Sequence, residues 1–230
     1  MSTSASLRKI VSRLARFYGK PAPPITSDPF ALILWENVAY LVSDERRAAA
    51  FALLRETVGT KPHEILAASN DALLQVAKLG GMQPERRAAR FRELALIAMN
   101  EFDGDVRSAL KLPLPKAKKS LQKFPSIGEP SAEKILLFTR SYPVLGLESN
   151  GLRVLLRLGF GEEKKNYTAS YRSVQEAIKD QIGDDYDWLI DTHNLLRQHG
   201  KELCKTNHPI CEKCPVKRNC AYFLCQNPER

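Results

Sequence analysis

Long apolar runs are missing from this 230-residue chain: none approaches the 18 or more consecutive apolar residues that a membrane-spanning helix needs. The expectation is a soluble globular protein with no membrane partner. Sustained apolar–polar alternation is missing too, so half-buried strands have no pattern to form from. Internal repeats and low-complexity tracts are absent, which excludes a solenoid. No cysteine precedes Cys204, and no hydrophobic signal segment opens the chain. A disulfide framework of the kind that staples small secreted domains is therefore not expected, and an intracellular, reducing compartment (cytoplasm or nucleoid) is.

Carboxylates are absent from two stretches. From Met1 to Ser27 the chain carries Arg8, Lys9, Arg13, Arg16 and Lys20 with no acid, and between Asp105 and Glu129 it carries Arg107, Lys111, Lys116, Lys118, Lys119 and Lys123 with none. With a formal net charge of +9 and a pI near 9.4, this clustering predicts contact with a polyanion. An arginine-rich, acid-poor start is also what a transit peptide looks like. Leu7, Ile10, Val11, Leu14 and Phe17 recur at helical spacing, however, so a folded helix is expected there.

What is present in excess is cysteine at the end. Cys204, Cys211, Cys214 and Cys220 form a C-x6-C-x2-C-x5-C ladder, followed by Cys225. Four thiolates so closely spaced suit a soft metal centre. A four-cysteine zinc site remains an alternative, but zinc ribbons bring paired C-x2-C knuckles and here only Cys211 and Cys214 are so spaced. A [4Fe–4S] cluster is the expected cofactor.

Apolar residues recur at three and four in Phe30–Val42, Arg46–Val58, Ala72–Leu79, Arg87–Phe102, Ser131–Thr139, Leu152–Leu158, Tyr171–Ile182 and Trp188–Leu203. The fold class expected is all-α. Prolines and glycines at Pro21–Pro24, Gly80–Gly81, Leu112–Pro115 and Tyr142–Pro143 mark the breaks. Between Lys116 and Arg140, a basic helix ending at Lys123 runs into Phe124-Pro125-Ser126-Ile127-Gly128 and then a helix opening Glu129-Pro130, where the proline's missing N–H costs nothing. Backbone N–H groups at such a hairpin and helix start can hold a phosphate without reading a base.

In that order, the basic helix, the F-P-S-I-G hairpin, the second helix, His199-Gly200-Lys201 and the cysteine ladder, the chain resembles the endonuclease III branch of the helix-hairpin-helix DNA glycosylases. The resemblance covers nearly its whole length. It implies a two-domain helical fold: a helical barrel carrying the hairpin over 28–142, and a discontinuous cluster domain of 1–27 and 143–230. It also implies that double-stranded DNA with a damaged or mismatched base binds a monomer in the cleft between the domains, with that base extruded into a pocket.

Departures from the family pattern shape the expected activity. The lysine that bifunctional members use as a nucleophile is replaced by Pro130, so a glycosylase without lyase activity is expected. Ser126 replaces the first hairpin glycine. Lys134, one turn on, is a candidate substitute amine, with a solvated helix lysine the preferred reading. Where the family has an aspartate in a V-D-T-H-like segment, this chain has Glu148 in Leu147-Glu148-Ser149-Asn150. A carboxylate there would stabilise the oxocarbenium-like sugar or orient the attacking water, whereas the plain alternative is a helix N-terminal acid. Asp191-Thr192-His193 spells a similar motif but lies far past the hairpin and is read as helix surface.

The resemblance further places Glu36 as a candidate acid for the leaving base, which would call for a raised pKa. Tyr40, one helical turn on, is the candidate wedge for the extruded nucleotide's gap. Lys123, Pro125, Ser126, Ile127 and Gly128 at the hairpin, and Lys201, Lys205, Lys213, Lys217 and Arg218 around the cluster, are the candidate DNA contacts, with ordinary surface charge the alternative for the latter. Two other classes compete: a lesion-binding protein that kept fold and cluster but lost catalysis, and an electron carrier. The large basic helical framework speaks against the second.

Overall fold

The computed structural model describes residues 6–226, which are helical with no strand among them. The helices are Leu7–Tyr18 (α1), Pro29–Asn37 (α2), Asp44–Thr57 (α3), Pro62–Ala67 (α4), Asn70–Leu79 (α5), Pro84–Phe102 (α6), Arg107–Leu110 (α7), Leu114–Leu121 (α8), Glu129–Phe138 (α9), Ser149–Leu158 (α10), Tyr167–Ile178 (α11), Tyr186–Glu202 (α12) and Ala221–Gln226 (α13). No helix among the described residues is long and apolar enough to cross a membrane.

Local chemistry sets most of the starts. Ser6, Asp28, Ser43, Ser69, Asn166 and Asp185 each accept a hydrogen bond from a backbone N–H in the first turn that follows. Proline stands in the first turn of α2, α4, α6, α8 and α9, where no backbone donor is lost. The short helices α4, α7 and α13 went unanticipated because one or two turns give periodicity too few residues to register.

The chain divides into two compact units, Ile25–Tyr142 and the pair Met1–Pro24 with Pro143–Arg230. The two ends assigned to the cluster domain, 1–5 and 227–230, lie outside the described residues. In the first unit α4 and α5 pack on α6, α3 packs on α5, and α2 meets both α6 and α9. Ile33, Leu34, Leu54, Phe91, Leu94, Ile135 and Leu136 are fully buried there, each worth roughly 1.5–3 kcal/mol of transfer free energy. In the second unit α10 and α1 pack on α12, around Leu7, Leu14, Leu155, Val174, Leu189 and Leu196.

One helix is shorter than its pattern. The apolar spacing predicts a helix to Val42, but α2 ends at Asn37, whose amide donates to Ile33 O (3.0 Å) and Pro125 O (3.1 Å). Val38 and Ala39 are buried without being helical, which is why the periodicity seemed to continue. Beyond them Tyr40 N–H donates to Gly80 O at 3.0 Å in an isolated bridge. A Cβ on Gly80 would sit 2.0 Å from Val38 O, so only glycine permits this approach. Tyr40 therefore stands on a loop, not one helical turn from Glu36.

Candidate nucleic-acid interface and cysteine cavity

In the Ile25–Tyr142 unit the segment between α8 and α9 is a tight turn. Ser126 adopts φ 64°, a left-handed conformation that glycine takes without strain, at a cost of roughly 1–2 kcal/mol for a residue with a Cβ. Its hydroxyl accepts from Arg90 on α6 at 3.1 Å. Phe124 and Ile127 point into the core, and Phe124 stacks on Phe102 with centroids 5.5 Å apart. Ile127, a candidate DNA contact, thus has a buried side chain and can offer only its backbone. Pro125 offers its carbonyl to Asn37, while Ser126 and Gly128 are exposed.

The same unit holds a largely buried ion pair. Lys134 on α9 places Nζ 2.7 Å from Glu36 Oε1, with side chains 15% and 13% exposed, and Ser131 donates to Glu36 Oε2 at 3.3 Å. The expected solvated lysine is therefore a partnered one, brought to α2 by the packing of α2 on α9. Burial by itself raises the Glu36 pKa, but Lys134, then Arg47 and Ser131, outweigh it and hold the carboxyl below its ordinary value. A raised pKa was the expectation; the partner cations reverse it.

Next to Glu36, an open recess of about 1160 Å3 is lined by Tyr40, Arg47, Arg86, Arg87, Arg90 and Ser126. Tyr40, Leu41 and Met82 stand out at 63%, 76% and 64% exposure. The arginines escaped sequence reasoning because they sit in mixed-charge helices. The all-basic block misled in the opposite direction. Lys118 is paired with Glu129 (2.6 Å) and Glu133 (2.8 Å), Arg107 with Asp28 (2.5 Å) and Lys123 with Glu101. Carboxylates arrive from helices outside the block.

In the other unit Glu148 is the N-cap of α10. Its Oε1 accepts from Gly151 N–H at 3.0 Å and its Oε2 from Asn150 Nδ2 at 2.8 Å. Arg153 continues the chain of contacts, donating to Asn150 Oδ1, Gly200 O and Cys204 O at 2.8–2.9 Å. Arg157 donates to Lys205 O at 2.7 Å and Thr206 O at 3.0 Å. One helix thus joins the carboxylate to the cysteine loop. Tyr167 donates to Leu147 O at 3.3 Å; burial, then the Glu148 charge, push its pKa up to about 12.

The Asp191-Thr192-His193 motif is not helix surface. Thr192 and His193 are buried, and His193 Nδ1 lies 2.5 Å from Gly146 O, steadying the extended segment that leads into Glu148. A buried imidazole on α12 explains the residue without chemistry.

Cys204, Cys211, Cys214 and Cys220 line one small cavity with His199, Arg157 and Val216, and none is in a disulfide. Burial first, then the neighbouring cysteines, push Cys214 up to about 11; Cys211 and Cys220 shift the same way, chiefly from burial. Thiols crowded in this way resist ionising together unless a cationic centre sits among them, so the donor set fits a thiophilic metal group. Among the described residues no three His, Cys, Asp or Glu side chains converge as on a single ion.

His199 Nε2 lies 3.5 Å from Cys214 Sγ, and its Nδ1 lies 2.9 Å from Tyr18 OH. Burial lowers the His199 pKa to about 4. A neutral ring with Tyr18 as donor leaves Nε2–H aimed at the sulfur. Cys225 is exposed and does not line the cavity. Lys201, Lys205, Lys213 and Arg218 are exposed around the loop, whereas Lys217 is half-buried and donates to Glu212 O at 2.8 Å.

No protein-family model matches the chain. It is 28% identical to endonuclease III of Sulfolobus acidocaldarius over 204 residues, covering 86% of this chain and 84% of that protein. In fold it is similar to endonuclease III trapped in a covalent intermediate with DNA, at a TM-score of 0.75 and 21% identity over 98% and 99% of the two chains. It is likewise similar to a thermostable thymine-DNA glycosylase, at 0.74 and 18% over 94% and 96%.

Proposed function

We propose that this chain, an endonuclease III-like protein of the helix-hairpin-helix superfamily, is a DNA N-glycosylase of base-excision repair that hydrolyses the bond between sugar and base in an extruded damaged or mismatched nucleotide. The observation that carries this reading is kinship with endonuclease III along almost the whole chain. In the reaction the C1′–N bond breaks and a C1′–O bond forms from water. One water proton goes to the departing base and the other stays on oxygen as the new C1′ hydroxyl. Glu148, held by Gly151 N–H and Asn150, would supply the anion that faces the positive charge developing on the sugar. Arg153 and Arg157 position it by tying α10 to the cysteine loop.

Glu36, kept ionised by Lys134, suits a hydrogen-bond acceptor for an N–H on the extruded base better than a proton donor. Tyr40, with Leu41 and Met82 beside it, supplies exposed apolar surface to fill the vacated stack. Ser126 and Gly128, with Lys201, Lys205, Lys213 and Arg218, are the proposed phosphate contacts. With Pro130 at the place of the family's nucleophile, the reading is monofunctional, and the protein is placed at the chromosome as a monomer.

Cys204, Cys211, Cys214 and Cys220 would hold a [4Fe–4S] cluster. A single zinc needs all its sulfurs within about 2.3 Å of one point, whereas a cube gives each thiolate its own iron, and four cysteines around one cavity suit the second. When bound, such a cluster cross-links the loop and adds one-electron redox capacity.

A panel of uracil, thymine-mismatch, oxidised-pyrimidine and alkylated duplexes tests the reading. Alkali-labile sites should appear on at least one of them, and Glu148→Gln should lower turnover at least about a hundredfold while leaving binding in place. Binding without any product would assign a lesion-binding role instead; unchanged Glu148→Gln turnover would remove that residue from the mechanism. No borohydride-trapped adduct is expected, and trapping would point to Lys134 or another lysine.

A further inference from the structure

The recess beside Glu36 concentrates positive charge from two helices. On α6, Arg86 and Arg90 are four residues apart and share a face with Arg87 between them; Arg47 enters from α3. Arg47 donates to Trp35 O at 3.2 Å, Arg86 to Gln83 Oε1 at 3.5 Å and Arg87 to Ala77 O at 3.1 Å, all neutral oxygens. Arg90 pairs with Glu93 at 3.0 Å and also reaches Ser126. The acid in the lining, Glu36, is ion-paired with Lys134 and also lies in the field of Arg47.

Arg87 is 9% exposed, and burial, then repulsion from Arg47, lowers its pKa. A buried guanidinium with a second one beside it is relieved by an anion. Planar N–H forks match the oxygens of a phosphate in shape as well as charge. The recess is open, adjoins the Ser126 turn and is flanked by exposed Tyr40 and Met82, so cations stand beside stacking surface as on a strand-binding groove.

We propose that this recess binds the phosphodiester backbone of the DNA strand lying against the Ser126 turn, with Arg86 and Arg90 as direct phosphate ligands and Arg47 and Arg87 as fixed charges behind them. Ser126, where the family has glycine, orients Arg90 through its hydroxyl at the expense of a strained backbone. The proposal rests on the DNA-binding part of the functional reading and adds a grip on α6 that neither the hairpin backbone nor the cysteine-loop lysines provide.

The test uses the full-length protein with its cluster, and measures affinity for damaged and undamaged duplex across a sodium chloride series. Arg86→Gln/Arg90→Gln should make the slope of log K against log salt about 2 shallower, and weaken both duplexes about tenfold alike. A Lys164→Gln/Lys179→Gln control should match wild type. Arg86→Gln alone, at an exposed position, should lower the slope by about 1 and covers the case in which the double variant folds poorly. An unchanged slope in folded variants, with wild type binding normally, overturns the recess and leaves the glycosylase reading standing. Wild type that ignores DNA overturns both. Pyrophosphate held tightly by wild type and lost in the double variant, with the DNA slope unchanged, would assign the recess to a free phosphate ligand and overturn the backbone assignment.

Discussion

Glu36 and Lys134 are far apart in sequence, largely out of water and 2.7 Å apart in space. Removing one partner leaves the other charged and buried, which costs more than the pair contributes. Glu36→Gln should therefore destabilise the protein by about 3 kcal/mol, and adding Lys134→Met should recover most of that, measured by urea unfolding. The pH dependence has a definite sign. Because Lys134 and Arg47 overcome burial and hold the folded-state pKa of Glu36 below 4.5, the pair's contribution is complete above about pH 4.5 and is lost as the pH falls through the folded value. The urea midpoint of wild type should drop on acidification from about pH 5 to pH 3 more steeply than that of the double variant. A parallel fall in both would show that folding does not lower the Glu36 pKa.

At the scale of elements, α10 and α12 determine where Glu148 stands. They approach so closely at Gly200 that an added Cβ would meet Asn150 O at 2.6 Å and Asn150 Cβ at 2.7 Å. Gly200→Ala gains about 1 kcal/mol of helix propensity but must push Asn150 aside, a strain of about 1–3 kcal/mol. The expected net effect is a lower melting temperature and, because Asn150 also donates to Glu148, a fall in turnover larger than the fall in DNA affinity. Equal losses would mean that Asn150 does not orient the carboxylate. The same lesson governs α8. Its lysines read as one-signed along the chain, yet Lys118 is neutralised by two glutamates on α9, since helix packing sets charge neighbours and sequence adjacency does not.

For the whole molecule the decisive part is the cysteine loop, to which α10 and α12 are joined by Arg153, Arg157 and His199. If a cluster occupies the cavity, Cys214→Ser should yield colourless protein with little iron. Helicity should then be lost at lower temperature, with a stability loss on the order of several kcal/mol, because the loop's acceptors for both arginines come free. Iron content and circular dichroism check this without any activity assay. An iron-free variant as stable as wild type would make the cluster dispensable for folding.

The sequence by itself determined what local chemistry can specify. Apolar residues recurring at three and four made the chain helical, serines, aspartates and prolines set the helix starts, and the C-x6-C-x2-C-x5-C spacing made four thiols neighbours around one cavity. Only the tertiary structure decided which charges are spent. It hid Lys134 against Glu36, buried His193, turned the chain after Asn37 so that Tyr40 left the helix, and drew arginines from α3 and α6 to one recess. Electrostatic partners are chosen by distance through space, and period and composition carry information only along the chain.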